Sequence, residues 1–237
     1  MIFDQHEYEI RCEWGLRGVQ LLAPISDVLI IVDVLSFSTA VEFATSQGAI
    51  VYPYHWRDSS ASAFANSIGA ELADRENQDG YSLSPASLFN LPENVRLVIP
   101  SPNGSELSLS AGSTPTIAGC LRNCRAVADF ASRSGKKIAV VPAGERWEDD
   151  SLRPCIEDLL GAGAIISYLN GNPSPEALVA RRAFEGLRTD LAAQLIGSSS
   201  GKEKLLRGEG EDIRIAAELN ASDCVPILID GAFRKKR

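Results

Sequence analysis

The segment VLIIVDVLSFSTA, residues 28–40, indicates the fold class of this chain. Its first five residues are all apolar and four of them are β-branched, which is typical of a strand buried on both faces of a sheet. We therefore predict a strand over 28–34 that carries Asp33 near its end, followed directly by a helix over 38–47. A buried strand that leads straight into a helix is the repeating unit of α/β proteins.

The same alternation continues along the rest of the chain. We therefore expect a three-layer α/β/α fold, in which helices cover both faces of a largely parallel or mixed sheet. The run 164–169 also fits the end of the helix before it. Further strands are predicted over 49–54, 96–100, 116–119, 137–144, 164–169 and 225–230, and further helices over 58–68, 103–111, 122–134, 151–165, 174–196 and 209–219.

A single domain over residues 1–237 accounts for the length of the chain. Its 237 residues are 45% hydrophobic, enough to bury one full core, and no linker divides them. The segments 28–49 and 138–164 share a layout of strand, polar loop, helix and terminal Gly-Ala. The interpretation that this domain consists of two weakly related halves therefore stays open.

The composition excludes several classes of protein. The net charge of −8 argues against a nucleic-acid-binding surface, and the only basic run is the tail RKKR at 234–237. No run of about 18 apolar residues exists for a membrane span, and the acidic N-terminal segment does not resemble a signal peptide. We expect a cytoplasmic protein with no membrane partner. Its five scattered cysteines are expected to be reduced thiols.

Polar residues that could carry chemistry lie at the ends of three predicted strands, where α/β proteins bind ligands. At the first end, Asp33 is costly to bury unless it is paired, hydrogen-bonded or bound to a metal. It is either a metal ligand or nucleophile, or a cap for the following turn. The first interpretation is favoured because Ser38 and Thr39 can already act as caps.

The second strand end is IPSPNGS, residues 99–105. Asn103 and Gly104 tolerate a left-handed backbone, and Ser101 and Ser105 add hydroxyl groups, so successive N–H groups could cradle a phosphate. An ordinary capped helix start explains these residues equally well.

The third strand end leads into an acidic loop and a helix whose start carries Glu157 and Asp158. Adjacent helical residues point about 100° apart, so at most one of these carboxylates would face a metal directly. The alternative is a solvated loop and an ordinary amphipathic helix. That alternative fits Glu157 and Asp158 less well, because an apolar run follows them at once.

Several familiar chemistries are excluded by inspection. Two histidines are too few for a multi-histidine metal site, and no cysteine has an arginine six residues later, as a thiolate phosphatase requires. Leu35 stands where the paired aspartate of an aspartyl-phosphate enzyme would be. The stretch GSSSGK, residues 197–202, is one residue short of a P-loop and is predicted to be a flexible turn.

The order of the motifs resembles one known family. VDVLSFST, SLSP, SPNGS, GCLRN, VPAGERWEDDSLRPCIEDLLGAGA, SSGKEKLLRGEGEDI and CVPIL follow one another as in the 2-phosphosulfolactate phosphatases, the second-step enzymes of coenzyme M biosynthesis. The resemblance covers the chain from about residue 20, and the order of motifs, rather than any single one, makes it specific. It implies an α/β/α fold and a Mg²⁺-dependent phosphatase.

The resemblance also implies that the three strand ends surround one site. It assigns catalysis to Asp33 and Glu157, and Mg²⁺ binding to Asp33 with Glu157 or Asp158. The residues implied for substrate or phosphate binding are Ser38, Thr39, Ser101, Asn103, Gly104, Ser105, Asn123, Arg146 and Arg153.

One departure from the family bears on the substrate. The family commonly has Asp-Val-Leu-Arg where this chain has Ser36, so a cation that could neutralise a phosphate, sulfonate or carboxylate is absent there. Arg146, Arg153 and Arg122 are the candidates to replace it, because an acidic protein must compensate an anionic substrate locally.

Three functions are therefore weighed. The main one is metal-assisted hydrolysis of a small phosphorylated acid. The rivals are an anion-binding relative without catalysis and a phosphoryl transferase for another small phosphorylated acid. A homodimer is the commonest assembly for such enzymes and is expected here.

Overall fold

The computed structural model describes residues 2–56, 58–74 and 80–236. Its strands are β1 Ile10–Cys12, β2 Val28–Val32, β3 Ile50–Tyr54, β4 Glu71–Leu72, β5 Arg96–Pro100, β6 Thr116–Gly119, β7 Ile138–Pro142, β8 Glu145–Arg146, β9 Leu152–Arg153, β10 Pro226–Ile229 and β11 Ala232–Lys235. Its α-helices are α1 Gly15–Leu22, α2 Phe37–Ser46, α3 Ser59–Ser67, α4 Gly104–Leu109, α5 Cys124–Ser134, α6 Ile156–Tyr168, α7 Pro175–Leu187, α8 Leu191–Gly197, α9 Ser199–Leu206 and α10 Gly210–Ala216.

Within the described ranges, nine of the strands form one mixed sheet. Their order is β1-β7-β2-β6-β10-β11-β3-β5-β4. The first four strands pair in parallel, as do the last three. The β10–β11 hairpin joins these two groups and is antiparallel to both. Helices pack around the sheet, which confirms the predicted α/β/α class with a mixed sheet.

Helix α2 occupies the centre of the molecule, and eight of its ten residues are buried. It contacts β3 and β6 as well as the β10–β11 hairpin. Its first residue, Phe37, is fully buried and meets the ring of Phe233 edge-on, with centroids 6.1 Å apart. Because both groups of strands reach this helix, the ends of β2 and β5 come together beside its N-terminus.

Most of the predicted elements are confirmed, and three differences are informative. The strand predicted over 164–169 is wrong, because these residues complete or directly follow helix α6. The helix predicted from 151 begins only at Ile156, since β8 and β9 pair as a short hairpin before it. The turn predicted at 197–202 is also wrong. There the Ser198 hydroxyl accepts a hydrogen bond from Gly201 N at 3.0 Å and caps α9.

Other expectations concern the surface and the thiols. None of the helices in the described part of the chain is both long and apolar enough to cross a membrane. The five cysteines are free thiols, as predicted, and all five are buried. Burial raises the pKa of Cys224 to about 11. Arg237, the last residue of the basic tail, lies outside the described residues.

Candidate active site

The ends of β2 and β5 meet at the carboxylate of Asp33. Oδ1 accepts a hydrogen bond from Phe37 N at 3.0 Å, and Oδ2 accepts one from Gly104 N at 3.1 Å. The side chain is buried, so these two N–H groups replace water as its donors. The sequence prediction that the Asn103-Gly104 turn lies beside Asp33 is therefore confirmed.

Two hydroxyl groups fix the loop that carries Asp33. Ser38 Oγ donates to Ile31 O at 3.0 Å and accepts from Asp33 N at 3.1 Å, while Thr39 Oγ1 donates to Val34 O at 2.7 Å. Both residues are fully buried. Their protons are committed to backbone carbonyls, so in this structure they shape the loop and do not point to a ligand.

The β5–α4 turn is shaped by its glycine. A Cβ at Gly104 would lie 2.2 Å from Phe37 Cδ1, so only glycine lets the turn approach α2 closely enough for its N–H to reach Asp33. Ser105 Oγ donates to Ile99 O at 2.9 Å, and Ser101 Oγ accepts from Asn103 N at 3.3 Å. The predicted phosphate cradle thus donates one of its N–H groups to a carboxylate of the protein.

Asp158, at the start of α6, joins the ends of β2 and β7. Its Oδ1 accepts from Val34 N and its Oδ2 from Gly144 N, each at 2.8 Å. Burial raises the pKa of this carboxyl well above its ordinary value, and the negative charges of Asp33 and Glu157 raise it further. Of the three acids predicted as metal ligands, Asp33 and Glu157 therefore lie close enough to Asp158 to repel its charge.

The neighbouring carboxylate of Glu157 is not fully hydrogen-bonded by the described residues. The residue is buried, and among the described residues its Oε2 has no hydrogen-bond partner. An enclosed carboxylate oxygen without a donor is costly unless a cation or water meets it.

The three acids are nevertheless not a compact ligand set. Within the described ranges, only Asp4, His6 and Glu7, near the N-terminus, place three ligand atoms within 4.8 Å of one another. The oxygens of Asp33, Glu157 and Asp158 are therefore spread more widely.

A cavity of about 250 Å³ opens beside Asp33. This volume lies just below the range of about 300 to 1,000 Å³ for ligand pockets, which suits a small substrate. Its walls are formed by Asp33, Leu35, Ser36, Leu83, Ser101, Asn103, Glu145, Ser200, Glu203, Lys204 and Arg207.

Four charged residues of this wall were not among the predicted site residues: Glu145, Glu203, Lys204 and Arg207. Glu145 lies three residues after the end of β7 at Pro142, and this position near a strand end was a signal that could have been used. Lys204 lies in α9 and Arg207 directly follows it, both just beyond the turn predicted at 197–202. Both belong to the motif SSGKEKLLRGEGEDI of the family resemblance, which was a second signal that could have been used. Lys204 Nζ lies 2.8 Å from both Glu209 Oε2 and Asp212 Oδ2, and Arg207 pairs with Glu203.

The predicted cations lie elsewhere. Arg146 pairs with Glu106 and with Asp150. Arg153 donates to Ser200 Oγ at 3.3 Å. Both line a neighbouring cavity of about 370 Å³, which shares Glu145 with the first.

Arg122 and Asn123 support the structure away from the cavity. Arg122 Nε donates to the buried Glu42 at 2.7 Å, and Arg122 is not among the residues that line the cavity, so it does not take the place of the missing cation. The Asn123 amide, fully buried, accepts from Cys120 N at 2.9 Å and donates to Cys224 O at 3.0 Å. In this arrangement Asn123 holds the turn between β6 and α5 and does not face the cavity.

Comparison with known proteins gives a consistent result. A sequence model of the 2-phosphosulpholactate phosphatase family matches residues 19–231. A probable 2-phosphosulfolactate phosphatase of Carboxydothermus hydrogenoformans is 29% identical over 213 residues, which cover 84% of each chain. A probable 2-phosphosulfolactate phosphatase of Pseudothermotoga lettingae is 24% identical and covers 90% of this chain and 95% of its own. The 2-phosphosulfolactate phosphatase of Methanothermobacter thermautotrophicus is 31% identical over 150 residues, 62% of each chain.

The match of the family model to nearly the whole chain agrees with the fold and with the meeting of the three strand ends. This chain belongs to the 2-phosphosulpholactate phosphatase family.

Proposed function

We propose that this chain hydrolyses 2-phosphosulfolactate, or a closely similar small phosphorylated acid, to the hydroxy acid and inorganic phosphate. The names of its relatives support the reaction, and the small, polar cavity at the carboxyl ends of the strands supports a small substrate. The buried free cysteines suit a reducing compartment, which supports the predicted cytoplasmic location.

The observation that carries the proposal is the fixed carboxylate of Asp33 in the wall of the cavity. Two backbone N–H groups orient its oxygens, so it meets a bound phosphoryl group without reorganisation. It either attacks phosphorus itself or orients the attacking water. Ser101 and Asn103, in the same wall, are placed to contact the phosphoryl oxygens.

Mg²⁺ fits the donor set at this edge of the sheet. Three buried carboxylates lie there, and the pKa of Asp158 is raised by burial and further by the charges of the other two. Glu157 Oε2 has no hydrogen-bond partner within the described ranges. Mg²⁺ commonly binds through one or two carboxylates, with substrate phosphate and water completing its shell, so a compact set of three is not required. Asp33 with Glu157 or Asp158 would hold the ion, which supplies a Lewis acid for the phosphoryl oxygens.

Charge compensation for the acidic groups of the substrate would come from α9. Lys204 and Arg207 line the cavity together with Ser36, at the position where the family's arginine is missing. Lys204 is held in place by two carboxylates at 2.8 Å, so its position is fixed before the substrate binds.

The test is a screen of small phosphomonoesters, including 2-phosphosulfolactate, with and without Mg²⁺. We expect Mg²⁺-dependent release of phosphate that falls by about 10² to 10³ in Asp33→Asn. Asparagine has one accepting oxygen, whereas both Asp33 oxygens face N–H donors. Asp129→Asn, an exposed change on α5, is the matched control and should retain full activity.

Other outcomes would contradict the proposal. Tight anion binding without turnover would indicate a non-catalytic relative, and phosphate transfer to an added acceptor would indicate a phosphoryl transferase. Near-normal activity of Asp33→Asn would remove Asp33 from the mechanism.

A further inference from the structure

We propose that Glu145 is a catalytic residue that gives a proton to the leaving-group oxygen of the substrate. This role rests on the proposed phosphatase function. Glu145 and Asp33 line the same cavity of about 250 Å³, and their carboxylates have different environments that suit different tasks.

The backbone around Glu145 is rigidly supported. The residue begins the short hairpin of β8 and β9, where Glu145 pairs with Arg153. The preceding Gly144 has a φ of +70° and donates its N–H to Asp158 at 2.8 Å. A Cβ there would lie 2.9 Å from Arg153 O, so glycine alone permits this close turn. The support fixes the direction in which Glu145 leaves the sheet.

Two hydrogen bonds to one carboxylate oxygen orient the side chain of Glu145. Its Oε1 accepts from Asn103 Nδ2 at 2.7 Å and from Arg146 N at 3.0 Å. No described residue donates a hydrogen bond to Oε2. The residue is half-buried and remains open to the cavity. Glu145 therefore has one oxygen that can carry a proton to a bound ligand.

Asp33 is unsuited to that task. Each of its oxygens accepts a backbone N–H, so both oxygens are engaged by the backbone, whereas both hydrogen bonds that described residues donate to Glu145 end on Oε1. The position two residues later, where an aspartyl-phosphate enzyme would place its acid, is Leu35. Glu145 supplies the second carboxyl group from another strand end.

The proton balance is simple. The bond between phosphorus and the leaving oxygen breaks, its electron pair goes to that oxygen, and the oxygen takes the proton from the Glu145 carboxyl group. A bond forms between phosphorus and either water or Asp33. Water, attacking phosphorus directly or in a second step, releases the proton that restores Glu145. The sum is phosphomonoester plus water giving alcohol plus inorganic phosphate.

The test measures how fast the variant Glu145→Gln hydrolyses two substrates that have different leaving groups. An alkyl phosphate such as 2-phosphosulfolactate needs a proton on its leaving oxygen, whereas p-nitrophenyl phosphate releases p-nitrophenolate, which is a stable anion. We expect kcat to fall by about 10² to 10⁴ for the alkyl phosphate, with kcat for p-nitrophenyl phosphate essentially unchanged. Glutamine can still accept from Asn103, so thermal unfolding should match the parent chain.

The control variant is Glu148→Gln, which makes the same charge change at an exposed position of the same loop and should act on both substrates like the parent chain. Equal losses on the two substrates would overturn the role of Glu145, because they would indicate that it only positions Asn103. Recovery of the lost activity at higher Mg²⁺ concentration would overturn it in favour of a metal ligand. A parent chain that hydrolyses neither ester would instead refute the proposed function, and with it this role.

Discussion

At the scale of single residues, the site depends on how closely backbone can approach a carboxylate. Gly104 brings its N–H to Asp33 only because it has no side chain to meet Phe37. The Phe37 ring cannot move aside, since it is fully buried and packs against Phe233. The same glycine therefore serves both the packing of α2 and the orientation of Asp33.

Gly104→Ala should consequently lower stability and activity together. A Cβ 2.2 Å from Phe37 Cδ1 overpacks the core, at a typical cost of about 1–3 kcal/mol, and moves the N–H away from Asp33. The measurements are denaturant unfolding and kcat. Gly186→Ala, at an exposed position of α7 with nothing within 4 Å of the added Cβ, should raise stability by about 0.5–1 kcal/mol. Normal activity of Gly104→Ala would contradict this account.

At the scale of elements, α9 and α10 are joined to the cavity wall by buried charges. Lys204 of α9 contacts Asp212 of α10, and Asp212 also accepts from Ala86 N at 3.2 Å in the short helix Pro85–Leu88. Lys204 is 5% exposed and Asp212 1%. Because a buried charge needs its partner, these three elements are expected to hold together as one cap over the cavity.

Lys204→Met should uncouple this cap. Removal of the ammonium leaves Asp212 buried without its cation, which typically costs about 3–5 kcal/mol. The measurement is the free energy of unfolding from denaturant titration. Lys202→Met, an exposed change in the same helix, should alter stability by less than about 0.5 kcal/mol. Equal stabilities of the two variants would show that the charges do not join the elements.

At the scale of the whole molecule, the sheet gathers acids from distant parts of the chain. Asp33 follows β2, while Glu157 and Asp158 lie in the first turn of α6. Burial raises the pKa of Asp158, and the charges of Asp33 and Glu157 raise it further. The folded protein therefore binds a proton at Asp158 more tightly than the unfolded chain does. Between the ordinary value of 3.8 and the raised folded value, the folded state holds more protons. In this range the free energy of unfolding falls as pH rises.

The metal-free protein should thus lose stability as pH rises through the folded pKa of Asp158, and Mg²⁺ should restore it. A metal binds the ionised carboxylate in competition with the proton, so stabilisation by Mg²⁺ should grow with pH. The measurement is the unfolding midpoint between about pH 5 and pH 8, with and without Mg²⁺. Asp33→Asn, which removes one of the repelling charges, should show a smaller pH effect. A midpoint insensitive to Mg²⁺ throughout would argue against a metal at this edge.

The sequence by itself determined the elements and the strand ends that matter. Local patterns were enough for β2, β5, β6 and β7, because buried strands need continuous apolar runs, and they singled out Asp33, Asn103, Glu157 and Asp158 as polar residues at strand ends. Local patterns failed where the tertiary environment of a segment decides its secondary structure. The end of α6 is apolar like a strand, and α9 depends on its Ser198 cap and on the buried contacts of Lys204.

Only the tertiary structure decided which polar groups are available for chemistry. The hydroxyls of Ser38, Thr39 and Ser105 donate to backbone carbonyls, whereas Glu145 and Lys204 face the cavity. Sequence spacing cannot distinguish these cases, because a polar side chain serves the backbone or a ligand according to the partners that the folded chain places around it.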